Sequence, residues 1–259
     1  MPVPVSAFMI TLNNERSAEK ALKSLSWADE IIVVDSYSRD ATPAIAREYA
    51  SQFHQKEFSN FHDQYLFASS KCSHKWQIFL DADEELPAAI IEEMRAELEA
   101  NEKRPEGERM AGFRARRRAF YLGRWIRHGG WVPDYKLRLF NKGHTGWDSG
   151  LHTEPLVRGK VKDLKNIFYH YTYEDISEHL ETIQLYSNME AEEMLKRGQR
   201  FSVVNMMGHV IGRFVRDYFL KLGFLDGLPG LIIAVNTAFY VFAKHSKLYE
   251  KEMKRRVAP

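Results

Sequence analysis

Over the first hundred residues, short and almost unbroken apolar runs alternate with segments of helical period. Residues 5–12 form a β-rich apolar run, Asn13-Asn14 interrupts it, and residues 17–25 carry a helical pattern. Residues 30–35 (Glu-Ile-Ile-Val-Val-Asp) are nearly all apolar, as a parallel strand buried on both faces requires. Thr42-Pro43 predicts an N-cap followed by proline at the first helical position, in a helix that runs to about residue 51. A weak strand over 52–57, a helix over 61–70 capped by Asn60, and a strand over 76–81 come next. Pro87 then opens a helix in which Ile90, Met94 and Leu98 recur every four residues. Strands and helices in this alternation predict an α/β domain with a parallel sheet and right-handed crossovers.

The pattern changes after a charged linker at 101–110, which contains Pro105 and Gly107. Strands are predicted over 112–121 and 135–140, separated by the Gly129-Gly130 turn. From about residue 174 the chain reads as helical to the end, with a break at 223–230. The 259 residues thus divide into an α/β domain over 1–172 and a helical region over 173–259. Apolar residues make up 44% of the chain, enough for a sizeable core, and the net charge of +2 is too small to indicate a partner. Its distribution says more: Arg114, Arg116, Arg117, Arg118, Arg124 and Arg127 fall in one stretch without an acid, and the tail over 244–256 is also basic. Cys72 is the only cysteine, which excludes an internal disulfide. The N-terminus has no charged segment leading into an apolar one, so no signal peptide is expected. The longest apolar stretch, 228–243, is interrupted by Pro229, Gly230, Asn236 and Thr237, and falls short of the ~20 residues of a spanning helix.

Candidate chemistry gathers at the strand ends. Residues 76–85 (Trp-Gln-Ile-Phe-Leu-Asp-Ala-Asp-Glu-Glu) run from a buried strand into four acids, at the edge where open α/β sheets bind ligands. Asp81 and Asp83 there suit a hard divalent cation shared with a substrate phosphate; the same residues also suit the acidic start of the helix at Pro87. Asp35 ends the second strand, where a carboxylate accepts hydrogen bonds from a base or ribose or supplies turn chemistry. Thr11, Asn13 and Glu15 follow the first strand, as ligand contacts or helix caps. Neither G-x-G-x-x-G nor a P-loop motif is present, which argues against NAD and P-loop nucleotide sites.

Asn13-Asn14-Glu15, the run Trp27 to Asp35 with Ser38, Asp40 and Thr42, and Asp81-Ala82-Asp83-Glu84 together resemble glycosyltransferase family 2. The likeness extends through Arg138-Leu139-Phe140, Trp147, His152, His170 and the helical tail to the branch containing lipopolysaccharide-core β-glucosyltransferases. It implies a GT-A fold with a mostly parallel central sheet and a UDP-sugar donor. Thr11, Asn13, Glu15 and Asp35 would hold uracil and ribose. Asp81 would contact ribose or metal-bound water, Asp83 and His170 would hold Mg²⁺ or Mn²⁺, and Gly129-Gly130 would lie near the donor sugar. Tyr37 departs from the small residue usual at its position. Inverting transfer needs a base for the acceptor hydroxyl. The resemblance assigns Glu154, with Asp148 second, because Thr153 separates His152 from Glu154. Arg117, Arg127, Arg138 and His152 are candidates for holding an anionic acceptor, guanidinium forks being suited to phosphate.

The expectation is therefore an inverting hexosyltransferase, glucose being its first candidate sugar, acting on a lipopolysaccharide-core or related glycolipid acceptor. It would lie in the cytoplasm, peripheral on the inner face of the membrane, and would not bind nucleic acid. The basic and apolar residues of 213–256 would touch anionic lipid, pack within the protein or form a homo-oligomer. Other acceptors are a polyprenyl-linked exopolysaccharide unit or a protein. A sugar-nucleotide pyrophosphorylase would carry a glycine-rich loop that is absent here. A non-catalytic module binding anionic polymers or membranes would leave the acidic strand ends unexplained.

Overall fold

The computed structural model describes residues 2–148 and 153–257. The chain divides into two compact units, residues 1–118 with 134–171, and residues 119–133 with 172–259.

The first unit is built on a mixed sheet. Four parallel strands, β1 (Val5–Thr11), β2 (Glu30–Asp35), β3 (Gln52–Gln55) and β4 (Trp76–Phe79), lie in the order β3-β2-β1-β4. The sheet continues through β8 (Asp134–Asn141), β6 (Met110–Tyr121), β11 (Lys160–Tyr171) and the two-residue β5 (Glu84–Glu85). A separate ribbon pairs β9 (Thr145–Trp147) with β10 (Pro155–Val157). The α/β class and the helical C-terminal region expected from the sequence are those found.

The apolar runs form strands because both faces of the sheet are covered. Ala7, Met9, Val33 and Ile78 face a core that also contains Leu22 of α1 (Ala18–Ser24), Ala46 of α2 (Thr42–Tyr49), and Ile90, Met94 and Leu98 of α4 (Ala88–Glu102). Their alternates Phe8, Ile32, Val34 and Phe79 face Tyr65 and Ala68 of α3 (Phe61–Lys71). The pleat divides each strand's residues between the two layers. Thr11 pairs with Asp35 and Phe8 with Phe79, so β1, β2 and β4 end at one sheet edge.

Three local expectations change. Ala41, not Thr42, occupies the N-cap of α2; the Thr42 hydroxyl instead accepts the Asn14 backbone N–H at 2.7 Å. Twelve-residue β11 has no counterpart in the sequence reading, because its first half alternates lysines with other residues and only Leu164 and Phe168 are buried. The helical region breaks a second time, where Gly198 adopts φ 73° and Ser202 caps the next helix by accepting from Asn205 N–H.

The second unit begins with the last residues of β6, which pair with β7 (Arg124–Trp125). It continues with α5 (Ile176–Lys196), α6 (Val203–Val215), a π-helical turn over Arg216–Leu220, a 3-10 turn over Gly223–Asp226 and α7 (Gly227–Val257). Tyr121, Ile126 and Ile233 form its buried apolar cluster. The Tyr121 hydroxyl lies 2.8 Å from His179 Nδ1, and burial lowers the His179 imidazole to about 4. Lysines bind α7 to α5: Lys247 Nζ donates to Gln184 O and Ser187 Oγ at 2.7 and 2.9 Å, and Lys251 pairs with Glu192 at 3.0 Å.

Candidate active site

The loops after β1 and β2 are held together through their polar side chains. Asp35 is fully buried, and its carboxylate accepts from Thr11 Oγ1 at 3.0 Å, from the Ser38 N–H at 2.9 Å and hydroxyl, and from Gln55 Nε2 at 3.3 Å. A carboxylate offers about four lone-pair sites, and here each has a protein donor. Asn13 and Glu15 are bound in the same way: Asn13 Oδ1 accepts from Arg39 N–H and Glu15 Oε2 from Ala41 N–H, both at 2.9 Å. Thr11, Asn13, Glu15 and Asp35 thus fix the loops to one another. Asn13 and Tyr37 adopt left-handed backbone, at φ 54° and 61°, an uncommon conformation for which asparagine is enriched and tyrosine is not. The loops border a cleft of about 650 Å³ lined by Leu12, Asn13, Ser36, Tyr37, Arg39 and Glu57. Its volume is in the usual range for a small-molecule site, and Tyr37 leaves 56% of its surface exposed there. Tyr37, the departure from family pattern, thereby puts an aromatic face where a smaller residue would leave open space.

The carboxylates after β4 are brought opposite β11. Its antiparallel pairing with β5 sets His170 against Glu84, and Tyr171 N–H donates to Asp83 O at 2.9 Å. This places His170 Nε2 3.1 Å from Asp83 Oδ2 across 87 residues of sequence. Neighbouring ligands at octahedral Mg²⁺ distances are about 3 Å apart, so a carboxylate and an imidazole at this spacing fit one cation that takes its other ligands from substrate and water. Among the described residues no group of three or more His, Cys, Asp or Glu side chains converges as a metal cage, and the fit is of a shared site only.

Asp81 is fixed at both oxygens, by Tyr65 Oη at 2.8 Å and Arg138 Nη2 at 2.9 Å. Burial first, and the Glu84 charge second, push its carboxyl up to about 6, while one side stays open to solvent with 31% exposure. Glu84 has no exposure and lies between Arg138, at 2.6 and 2.8 Å, and Arg117, at 2.9 Å. Burial alone would raise Glu84; the two guanidinium groups outweigh it and hold the carboxyl at about 2. Arg138 is 2% exposed and stacks over Phe79 at 4.1 Å. Arg117 divides its donors between Glu84 and Asp134. Both arginines, expected at the acceptor, are instead engaged beneath the carboxylates, where buried acids require them.

Tyr65 and Lys136 were not among the residues singled out by sequence. The Tyr65 ring stacks on Trp147 with centroids 5.0 Å apart and planes at 7°, joining Asp81 to β9; an aromatic on the buried face of a helix carries no sequence signal for this. Lys136 Nζ forms an ion pair with Glu154 Oε1. Glu154, the expected base, is partly exposed just ahead of β10, and its carbonyl accepts the Asp148 N–H at 3.0 Å. Asp148 is exposed, and its own carbonyl lies 3.0 Å from His62 Nδ1. His152 lies outside the described residues.

Gly129, Gly130 and Arg127 belong to the second unit. Gly129 has φ 81° and donates its N–H to Lys221 O at 2.8 Å. A Cβ on Gly130 would lie 2.3 Å from Asp217 Oδ2, so the glycine pair permits close packing on the 216–223 turn. Arg127 is exposed, and its N–H donates to the buried Asp226 Oδ2 at 2.9 Å. The arginine run is partly neutralised from elsewhere in sequence: Arg114 pairs with Asp163 at 2.7 Å, and Arg124 reaches Asp226 at 3.8 Å.

The fold is similar to that of a mannosyltransferase of Pyrobaculum calidifontis solved in complex with GDP-Man and Mn²⁺, with a TM-score of 0.56, 12% identity, and coverage of 97% of this chain and 90% of that one. An uncharacterized glycosyltransferase of Rickettsia typhi is 28% identical over 97% of this chain and 89% of its own length. The lipopolysaccharide core biosynthesis glycosyltransferase LpsC of Rhizobium meliloti is 28% identical over 96% and 93%. The model of glycosyl transferase family 2 matches residues 6–148, from β1 through the acidic sheet edge to the end of β9. That span exceeds half the chain, and by it this protein belongs to glycosyl transferase family 2 and is a glycosyltransferase.

Proposed function

We propose that this enzyme is an inverting, metal-dependent hexosyltransferase, moving a hexose, with glucose the first candidate, from a UDP-sugar to a lipopolysaccharide-core or related glycolipid acceptor at the inner face of the cytoplasmic membrane. The observation that carries the reading is the meeting of Asp83 and His170 beside Asp81, at the sheet edge where β1, β2 and β4 end. A divalent cation held by Asp83 and His170 would neutralise the departing diphosphate. The exposed Tyr37 ring offers a stacking face for the base, and the braced loops of Asn13, Glu15 and Asp35 keep that wall in place before the donor arrives. Glu154 takes the proton of the acceptor hydroxyl as that oxygen attacks the anomeric carbon, and the bond to the diphosphate breaks on the opposite side. Lys136 orients the Glu154 carboxylate through their ion pair. The likeness to LpsC over nearly the full length of both chains supports the lipopolysaccharide acceptor. The test is a donor screen with UDP-glucose, UDP-galactose, UDP-GlcNAc and GDP-mannose, reading nucleoside diphosphate release with Mn²⁺, with Mg²⁺ and in excess EDTA. Release from a UDP-hexose that EDTA abolishes is the expected result; preference for GDP-mannose, or full activity in EDTA, overturns the donor or the metal respectively.

A further inference from the structure

The apolar surface of the second unit is concentrated on the segment after α5. Val204, Met207, Ile211 and Val215 on α6 are exposed, as are Phe219 and Leu222 just beyond it. The spacing of three, four and four residues from Val204 to Val215 places one stripe along the helix. The opposite side of α6 faces α7: Met206 is buried there and accepts from Ser246 Oγ at 3.9 Å, and His209 Nδ1 lies 3.3 Å from His245 Nε2. At 3.6 residues per turn, Val204, Ile211 and Val215 lie about 140–180° around the helix from Met206. The stripe therefore points away from the helix on which α6 rests. Val204 at 79% and Leu220 at 75% exposure are the extremes.

The charge around the stripe identifies what covers it. Residues 197–225 contain five basic side chains, Arg197, Arg200, Arg213, Arg216 and Lys221, and one acid, Asp217. That acid is fully buried and paired with Arg216 at 2.7 Å. A second copy of the segment would set like charges against each other, whereas an anionic lipid surface complements both the apolar stripe and its basic surround. The apolar run at 228–243, expected to fall short of a span, lies in a helix that continues through its polar interruptions, and the segment over 223–255 meets the length and composition of a membrane-crossing helix. Nevertheless, α7 is bound along α5 by Lys247 and Lys251 and covered by α6 through His245 and Ser246.

We infer that α6 and the π-helical turn after it form the membrane-docking element, lying in the interface of an anionic bilayer with the Val204–Ile211–Val215–Phe219 stripe in the acyl boundary. The inference deepens the membrane location proposed above but depends on neither donor nor acceptor. Full-length protein is floated with vesicles of phosphatidylcholine alone and of phosphatidylcholine with phosphatidylglycerol. Wild type should float with the anionic vesicles only, and less as salt rises. Val204→Glu with Ile211→Glu should lower the partition coefficient by about tenfold or more, the ratio that burial of one such side chain sustains. Both sites are exposed, so the variant should keep the wild-type melting temperature and nucleotide release. Asp83→Asn, which tests the catalytic reading, should float as wild type does. Phe239→Glu with Phe242→Glu, on the exposed side of α7, should bind nearly as wild type. An equal loss in that α7 variant overturns the assignment to α6. So does a wild type that ignores anionic vesicles and forms a dimer which the α6 variant dissociates.

Discussion

Replacing Arg138 by alanine removes the buried cation that holds Glu84 and Asp81 together. The side chain contacts Glu84 at 2.6 and 2.8 Å and Asp81 at 2.9 Å, with 2% exposure on Arg138 and none on Glu84. Removing one partner of a buried ion pair costs about 3–5 kcal/mol, because the other charge stays desolvated. Arg117 still faces Glu84 at 2.9 Å, which puts the expected loss near the lower end, about 3 kcal/mol. For a unit of this size each kcal/mol shifts the midpoint by roughly 2–4 °C, so melting should fall by roughly 6–12 °C. Urea unfolding followed by tryptophan fluorescence reads the loss, since Trp76 and Trp147 lie in the same unit. Arg138→Lys should fall between, keeping charge but losing the two-pronged contact. Arg138→Met with Glu84→Met should recover part of the loss, because the two most buried charges leave together, while Asp81 loses its arginine and Arg117 keeps only Asp134. An Arg138→Ala enzyme within about 1 kcal/mol of wild type would show that the network contributes no more than a surface pair and does not support the site.

Asp83→Asn and His170→Ala should each abolish transfer and weaken Mn²⁺-dependent nucleotide binding by calorimetry while leaving the urea midpoint near wild type; full activity in either removes that residue from the metal site. Glu154→Gln should lower kcat by about 10²–10⁴-fold with metal and nucleotide affinity unchanged; if Asp148→Asn collapses turnover instead, Asp148 is the base. Gly130→Ala should destabilise the second unit by about 1–3 kcal/mol, because its Cβ would come within 2.3 Å of Asp217 Oδ2; an unchanged melting profile would contradict that packing. Glu84, at about 2 against an ordinary 4.5, is depressed in the folded state, so its contribution is complete above about pH 4.5 and lost as pH falls toward 2. Acid unfolding of Glu84→Gln should accordingly be shallower than that of wild type, and an identical acid transition would refute the shift.

The parallel half of the sheet was legible because strands covered on both faces need continuous apolar runs, and Val5 to Thr11, Glu30 to Asp35 and Trp76 to Phe79 have them. Acids at their ends marked the ligand edge for the same reason: a charge cannot continue a doubly buried strand. The helical tail was legible from its period, although the break at Gly198 was not, since one glycine among charged residues does not interrupt that period. Arg117 and Arg138 read as acceptor-binding cations because their acidic partners are distant in sequence: Glu84 lies 33 residues from Arg117 and 54 from Arg138, and Asp81 lies 57 from Arg138. The meeting of Asp83 with His170 depended on β11, a strand whose lysine-rich start hides it, pairing with the two residues of β5. Local sequence determined where strands and helices form, through burial and period. Which charges neutralise each other, which side chains share a cation, and which face of α6 is left bare were decided by long-range pairing, because those contacts join residues that no local pattern connects.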